Sequence, residues 1–202
     1  MAKEQLNNIF LSASIPLKER DPKYFDSADI IAIRDAVIAA ATVVLPEHKL
    51  IWGGHPSITP LIYYVMDRLG LNVKVHVTLY QSRFFEMHFP EDNNKFQNVI
   101  LTDNTFERES SLLLMRKRMF SENQFVAGIF IGGMEGIKDE FKLFREFHPK
   151  ALILPISSTG AASQFVYNNY LSSDLKNQRL VNDYAYMSLF QDLLLDKIQK
   201  YG

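Results

Sequence analysis

The stretch from Arg116 to Glu140 holds the residues whose types and spacing best suit chemistry on a nucleotide. A basic helix around Arg116 leads into an apolar strand, which ends at Gly132-Gly133 and is followed by an acidic helix. Glycines after a strand let the backbone approach a ligand, and the first N–H groups of the next helix can bind phosphate. Arg116 can supply positive charge, while Glu135 or Glu140 can reach a sugar. This pattern predicts a nucleotide site in which any catalytic roles fall on these three charged residues.

Four turns that follow predicted strands are rich in small or hydroxyl residues. Each could offer N–H groups or hydroxyls to a phosphate or ribose, and ligands bind at the carboxyl edge of open parallel sheets. For any single turn, the alternative is that these residues only turn the chain and cap a helix. The predicted ligand-binding residues are Ser12, Ala13, Ser14, Gly53, Gly54, His55, Gly132, Gly133, Met134, Gly136, Ser157, Ser158, Thr159 and Gly160, with Arg83 from the irregular segment 81–97.

Each charged candidate also has a structural interpretation. Arg116 stands in a basic run that could simply be a solvated helix face, and a glutamate in a first helical turn is favoured by the helix dipole. His55 could cap a helix rather than contact a ligand. The chain has neither a Gly-x-x-x-x-Gly-Lys-Ser/Thr nor a Gly-x-Gly-x-x-Gly motif, and its histidines show no metal-ligand spacing. We predict no metal and no resident cofactor.

Composition indicates an ordinary globular protein with one core. The chain has 202 residues, of which 47% are hydrophobic and 22% charged, and its formal net charge is -1. This charge argues against a nucleic-acid partner, and the apolar runs are shorter than the roughly 20 residues of a membrane span. There is no cysteine, and the polar start Met1–Gln5 lacks the apolar core of a signal peptide. We therefore expect a cytoplasmic protein with no membrane contact.

Predicted strands and helices alternate along the whole chain. This alternation predicts an α/β fold, a Rossmann-like open and mostly parallel sheet with helices on both faces. We expect a single domain over 1–202 whose amphipathic C-terminal helix covers 179–200. Residues 72–80 are predicted to form a strand, and 81–97 a long loop or lid. The lid could close over the site or be buried against a neighbouring subunit.

At this point the chain resembles the SLOG superfamily, which includes the Lonely Guy (LOG) phosphoribohydrolases. LOG enzymes carry an Arg-Lys pair, an apolar strand and then Pro-Gly-Gly-x-Gly-Thr-x-x-Glu. Here Arg116-Lys117 has the LOG spacing before Gly132-Gly133, and the LOG glutamate falls on Glu140. The motif departs from LOG where Ile131 replaces proline, Met134-Glu135 adds a residue, and Gly136-Ile137 stands for Gly-Thr.

Three other segments are more similar to SLOG domains associated with bacterial TIR and Sir2 defence proteins. They are Ile9–Ser14, Gly53–Ile58 and Leu154–Ala161. In that branch, one domain senses a cyclic ADP-ribose-type signal. The resemblance therefore implies a binding module for a nucleotide-derived signal, acting with a TIR- or Sir2-type partner in antiphage defence.

The LOG resemblance implies a different function, hydrolysis of the N-glycosidic bond of a nucleoside monophosphate. Arg116 would then hold phosphate or leaving group, and Glu140 or Glu135 would stabilise charge developing on the ribose. The altered glycine motif favours binding over catalysis, because catalysis tolerates little misplacement. The resemblance also implies a homodimer or a higher homo-oligomer.

Overall fold

One parallel sheet organises the molecule, whose structure is a computed structural model that describes residues 6–70 and 73–201. Its six strands lie in the order β4-β3-β2-β1-β5-β6, and each neighbouring pair is parallel. The predicted Rossmann-like α/β fold is thereby confirmed. The strands are β1 (Asn8–Ser14), β2 (Lys49–Trp52), β3 (Val77–Ser82), β4 (Val99–Thr102), β5 (Phe125–Gly132) and β6 (Leu152–Ile156).

Helices connect the strands and complete the chain. The α-helices are α1 (Pro22–Ser27), α2 (Ile30–Val44), α3 (Thr59–Leu69), α4 (Val73–His76), α5 (Arg108–Glu122), α6 (Glu135–Phe147), α7 (Ala161–Asn169), α8 (Arg179–Asn182), α9 (Tyr186–Phe190) and α10 (Asp196–Tyr201). Short 3₁₀ helices cover Arg83–His88, Glu91–Lys95, Ser157–Thr159 and Ser173–Leu175, and a π-helical turn, Gln191–Leu195, joins α9 to α10.

The strand order reverses beside β1. The chain steps outward from β1 through β2 and β3 to β4, and α5 then carries it back across the sheet to β5 on the other side of β1. Right-handed crossovers in opposite directions place α2 and α3 on one face and α5 and α6 on the other. The carboxyl ends of β1 and β5 therefore flank the point where such sheets bind ligands.

Phenylalanines hold α5 and α6 against the middle of the sheet. The ring of Phe10 on β1 lies 4.9 Å from Phe120 of α5 and 5.3 Å from Phe144 of α6, measured between centroids. Phe130 of β5 lies 6.0 Å from Phe144. All four rings are fully buried, and edge-to-face or stacked ring contacts of this kind add to the free energy gained by burial. This packing fixes the positions of α5 and α6 relative to β1.

Two predicted elements are wrong in their boundaries. The strand expected over 72–80 begins only at Val77, because α4 (Val73–His76) precedes it; residue 72 lies outside the described residues. The helix expected over 179–200 is interrupted after Asn182. There the carboxylate of Asp183 accepts the N–H of Ala185 at 2.8 Å and thereby favours a turn over continued helix.

Two other predictions concern segments at the margins of the fold. The irregular segment 81–97 contains the last residues of β3 and two 3₁₀ helices. The polar start Met1–Gln5 lies outside the described residues. Within the ranges that the structure covers, no helix has the length and apolar character needed to cross a membrane.

Candidate functional site

The turns singled out in the sequence lie along one edge of the sheet. Ser14 and Gly132 are the last residues of β1 and β5, and Gly53, Arg83 and Ser157 directly follow β2, β3 and β6. Because all paired strands are parallel, these residues share the carboxyl edge. We call this edge the carboxyl rim.

A buried ion pair joins α5 to α6 beside the rim. The Nε of Arg116 donates to Oε1 of Glu140 at 3.0 Å, and the side chains of Arg116 and Glu140 are only 10% and 17% exposed. Asp139 Oδ2 lies 3.7 Å from Nη1 of Arg116. Oε2 of Glu140 accepts the hydroxyl of Ser12 from β1. One guanidinium from α5, two carboxylates from α6 and one hydroxyl from β1 thus form a preorganised polar group.

Local sequence explains why this group assembles. Ser12 lies two residues after Phe10, so its side chain leaves β1 on the face covered by α6. Gly136 in the first turn of α6 makes room for the arginine, since a Cβ there would lie 2.9 Å from Nη2 of Arg116. Its carbonyl also accepts from that nitrogen at 3.4 Å. The glycine therefore allows close contact between Arg116 and the helix start.

The backbone N–H groups of Gly132 and Gly133 connect the end of β5 to the neighbouring segments of the carboxyl rim. Both have positive φ, +57° and +74°, and a Cβ at either would overlap the side chain of Ile33 or Ile137. The N–H of Gly133 donates to the carbonyl of Ser14 at 2.8 Å. The N–H of Gly132 donates to the hydroxyl of Thr159 at 3.0 Å. These two amides therefore tie β5 to its neighbours on both sides.

Hydroxyls of the last turn face the protein interior. Thr159 Oγ1, besides accepting from Gly132, donates to the carbonyl of Ile156 at 2.6 Å, and Thr159 is fully buried. Ser158 and Tyr186 share a buried hydrogen bond of 3.0 Å, and burial raises the pKa of Tyr186 to about 12. Ser157 is also buried. These contacts give the turn a structural role.

Gly160 lets the last turn approach the loop before α2. Its φ is +70°, and a Cβ would lie 1.9 Å from the carbonyl oxygen of Ser27. The carbonyl of Thr159 accepts the N–H of Asp29 at 3.2 Å in the same region. Glycine is therefore required here by both conformation and space.

His55 connects the turn after β2 to the end of β1. Its Nδ1 lies 2.8 Å from Oγ of Ser57, and Ser57 Oγ accepts the N–H of Ile15 at 3.2 Å. The backbone N–H of Ser57 also donates to Nδ1 at 3.3 Å, so Nδ1 is an acceptor, the Ser57 hydroxyl can donate to it, and the imidazole is neutral. Burial, assisted by the charge of Arg20, lowers the pKa of His55 to about 4. The neutral form is thus favoured well below pH 7.

The two glycines before His55 pack closely against other elements. Gly54 has a φ of +70°, and a Cβ there would lie 2.0 Å from Nε2 of Gln81, whose amide donates to the Gly54 carbonyl at 2.9 Å. A Cβ at Gly53 would approach Met115 of α5 to 3.2 Å. The turn after β2 therefore contacts both β3 and α5.

Glu135 lies on α6 but takes part in a different set of contacts. It accepts the hydroxyl of Tyr24 at 3.0 Å and pairs with Lys138 at 2.7 Å. The hydrogen bond with Lys138 is the main reason that the pKa of Glu135 is lowered, and it also raises the pKa of Lys138. This arrangement links α1 to the start of α6.

The remaining candidate residues make fewer of the polar contacts described above. Met134 is buried directly before α6, and Ala13 on β1 packs against the core. Arg83 is exposed and pairs with Glu86 at 3.1 Å, one turn along its own 3₁₀ helix. Across the described residues, no three His, Cys, Asp or Glu side chains are grouped to hold a metal ion.

Comparison with known proteins identifies the family. Residues 23–194 match the model of the SLOG cluster3 family. The chain belongs to this family. No curated protein matches its sequence. Its fold is similar to the X-ray structure of TM1055, a structural genomics target, with a TM-score of 0.59 and 11% identity over 96% of this chain and 99% of that one. At that identity the likeness concerns the fold.

The SLOG fold brings the sequence-predicted residues into two groups. Arg116, Glu140, Gly136 and Ser12 are in mutual contact, whereas Glu135 lies with Tyr24. Whether either group binds a ligand stays a prediction. The residues of the rim turns and Arg83 lie along the same edge of the sheet. The hydrogen bonds described above for these residues are made to other groups of the protein.

The sequence analysis missed several residues that contact or influence the candidate residues. Asp139 lies 3.7 Å from Arg116 and could have been identified from the sequence, because it immediately precedes the predicted residue Glu140 in the same acidic helix. Ser163, which shares the Gly132 amide with Thr159, lies one helical turn after it. Arg20 and Ser57 influence His55. Helical and turn spacing could have indicated Ser163 and Ser57, whereas Arg20 had no such signal.

Proposed function

We propose that this SLOG protein binds a nucleotide-derived small molecule, of the ADP-ribose or cyclic ADP-ribose kind, at the carboxyl rim beside β1 and β5. The observation that carries the proposal is the buried Arg116–Glu140–Ser12 group at the reversal of strand order. Family membership and the parallel sheet support a nucleotide-type ligand.

The charges of this group suggest where the phosphate and the ribose of a ligand would bind. Arg116 faces both Glu140 and Asp139, so a phosphate would have to compete with two carboxylates for the guanidinium. A ribose hydroxyl fits better beside Glu140 and Ser12, since it can both donate and accept. The phosphate fits better at the first turn of α6, whose leading N–H groups lack partners within the helix. Arg116 then orients Glu140 and adds positive charge between the two positions.

The first test is a calorimetric titration with AMP, ADP-ribose and cyclic ADP-ribose isomers. Arg116→Ala is expected to weaken binding about 10- to 100-fold, because it removes the positive charge between the two ligand positions and the charged hydrogen bond that orients Glu140, and such bonds contribute about 1.5–3 kcal/mol. Arg118→Ala is the matched control, since Arg118 lies on the same helix but is exposed and pairs with Glu122. Equal affinity in Arg116→Ala and wild type would place the ligand elsewhere.

Catalysis is the second candidate, because Glu140 is a nearly buried carboxylate held in one orientation. A LOG-like hydrolase would use it to stabilise an oxocarbenium-like ribose. Chromatography after incubation with AMP or NAD separates the two functions. Free base formed with turnover, and abolished in Glu140→Gln, would reject the pure binding function; bound, uncleaved nucleotide would reject the hydrolase.

Two further proposals concern the oligomeric state of the protein and its biological role. Phe106, two residues before α5, is 89% exposed and Met87, in the first 3₁₀ helix, is 93% exposed, and we propose that a second copy of the chain covers them in a homodimer. A monomeric mass in light scattering would reject the homodimer.

We also propose a role with a TIR- or Sir2-type partner in antiphage defence. Unchanged phage protection by cells carrying Arg116→Ala would count against that role.

A further inference from the structure

Two hydrogen-bond donors from different helices converge on one carboxylate at the start of α6. The hydroxyl of Tyr24, on α1, donates to Oε2 of Glu135 at 3.0 Å. The ammonium group of Lys138 lies 3.0 Å from the same oxygen and 2.7 Å from Oε1. We call Tyr24 and Lys138 the donor pair. The carboxylate of Glu135 therefore lies where two donors meet an oxyanion.

The donor pair is held by the protein, whereas the carboxylate is free to leave it. Tyr24 is 5% exposed and the Lys138 side chain 14%. The Lys138 ammonium also lies 4.5 Å from the ring centroid of Phe165 on α7, a cation–π contact that does not involve Glu135. The Glu135 side chain is 62% exposed and can rotate into water. Because exposed ion pairs contribute little to stability, moving this carboxylate costs little free energy.

Further positive charge lies near the donor pair. The hydrogen bond with Lys138 lowers the pKa of Glu135 most, and the charge of Lys142, one turn further along α6, lowers it as well. Lys23 on α1 lies 5.9 Å from the ring centroid of Phe165, the ring that Lys138 also contacts. The side of α6 that faces α1 and α7 therefore suits a ligand with more negative charge than one carboxylate carries.

We infer that the donor pair binds the second phosphate of a nucleoside diphosphate group, an assignment that rests on the proposed function, and that Glu135 occupies this position in the free protein. Two linked phosphates carry more negative charge and more acceptor oxygens than a carboxylate, so they displace an exposed carboxylate from fixed donors. The contact of Arg116 differs, because its partner Glu140 is only 17% exposed and also accepts from Ser12. A phosphate therefore exchanges with Glu135 rather than with Glu140.

The donor pair lies close to the first turn of α6, where the first phosphate is proposed to bind. Glu140 and Lys138 lie on opposite sides of this helix, since one contacts α5 and the other α7. The Lys138 side chain bends back to Glu135, the first residue of α6, which brings its ammonium to the helix start. The helix backbone is only about 5 Å across, which two linked phosphates can span. A ligand with its ribose beside Glu140 thus reaches the donor pair by crossing the start of α6.

Calorimetric titrations with AMP and ADP test the assignment, because these compounds differ by one phosphate. ADP is expected to bind the wild type at least about tenfold more tightly than AMP, since it adds charged hydrogen bonds. Lys138→Gln is expected to weaken ADP binding about tenfold and AMP binding less than about threefold. Lys150→Gln is the matched control, because it removes the same charge at an exposed position beyond the other end of α6.

Glu135→Gln separates a ligand position from a purely structural contact. Removing the competing carboxylate is expected to strengthen ADP binding about three- to tenfold, and AMP binding by a smaller factor. A contact that only ties α1 to α6 would give no gain in affinity. Tm of this variant is expected to stay within about 4 °C of the wild type, because the ion pair is exposed.

The outcomes distinguish the diphosphate assignment from the proposed function. Equal affinity of the wild type for AMP and ADP, unchanged ADP affinity in Lys138→Gln, or unchanged or weaker ADP binding in Glu135→Gln would overturn the diphosphate assignment alone. Failure of both AMP and ADP to bind the wild type would overturn the proposed function as well.

Discussion

Arg116 and Glu140 are 24 positions apart in sequence and form the best-defined polar contact at the rim. Their spacing around a strand and a glycine turn allowed their proximity to be predicted. The inward direction of Thr159 and Ser158 could not be predicted, because their partners, the Gly132 amide and Tyr186, come from distant parts of the chain. Spacing thus identifies residues that share a turn, whereas hydrogen-bond partners depend on tertiary packing.

A pH prediction follows at the same scale. The pKa of His55 is lowered to about 4 from an ordinary 6.5, so the unfolded chain takes up a proton first as the pH falls. The contribution of His55 to stability is therefore present above pH 6.5 and is lost as the pH decreases towards 4.

His55→Asn provides the check, since the asparagine oxygen can accept in place of Nδ1 without titrating. Urea unfolding of this variant is expected to depend less on pH between about 6.5 and 4 than that of the wild type. Burial also lowers the pKa of His48 and His148, but these residues contribute equally to both proteins. Identical pH profiles would show that His55 is not buried as described.

At the scale of elements, the alternation of strands and helices was sufficient to predict the parallel sheet. The boundaries of α4 and of the C-terminal helices were missed for physical reasons. Alternating valines before Val77 suit a strand as well as a short helix, and the turn at Asp183 depends on a side-chain contact with the Ala185 backbone. Local pattern therefore indicates an element more reliably than its ends.

The phenylalanine packing under α6 predicts unequal effects of two neighbouring truncations. Phe144→Ala is expected to lower the free energy of unfolding by about 3–5 kcal/mol, because Phe144 is fully buried among rings. Phe147→Ala, one turn later and 36% exposed, should cost less than about half as much. Urea denaturation measures both; equal losses would contradict the assigned packing of α6.

For the whole molecule, the strand order decides where a ligand can bind. Parallel strands whose order reverses beside β1 gather the glycine turns, the hydroxyl turns and the Arg116–Glu140 pair at one edge. The opposite edge of the sheet has a depression lined by Leu6, Asn7, Asn8, Gln124 and Val126. The sequence predicted the common edge but not the strand order, because contacts between distant parts of the chain decide which strands are neighbours.

The central claim is that a nucleotide binds at the carboxyl rim, and the crystal structure of a crystal soaked with AMP tests it most directly. The account predicts density at the carboxyl rim beside β1 and β5, with the ribose at Glu140 and Ser12 and the phosphate at the first turn of α6. Density for AMP at the opposite edge, with the Arg116–Glu140 pair free of contact, would contradict it.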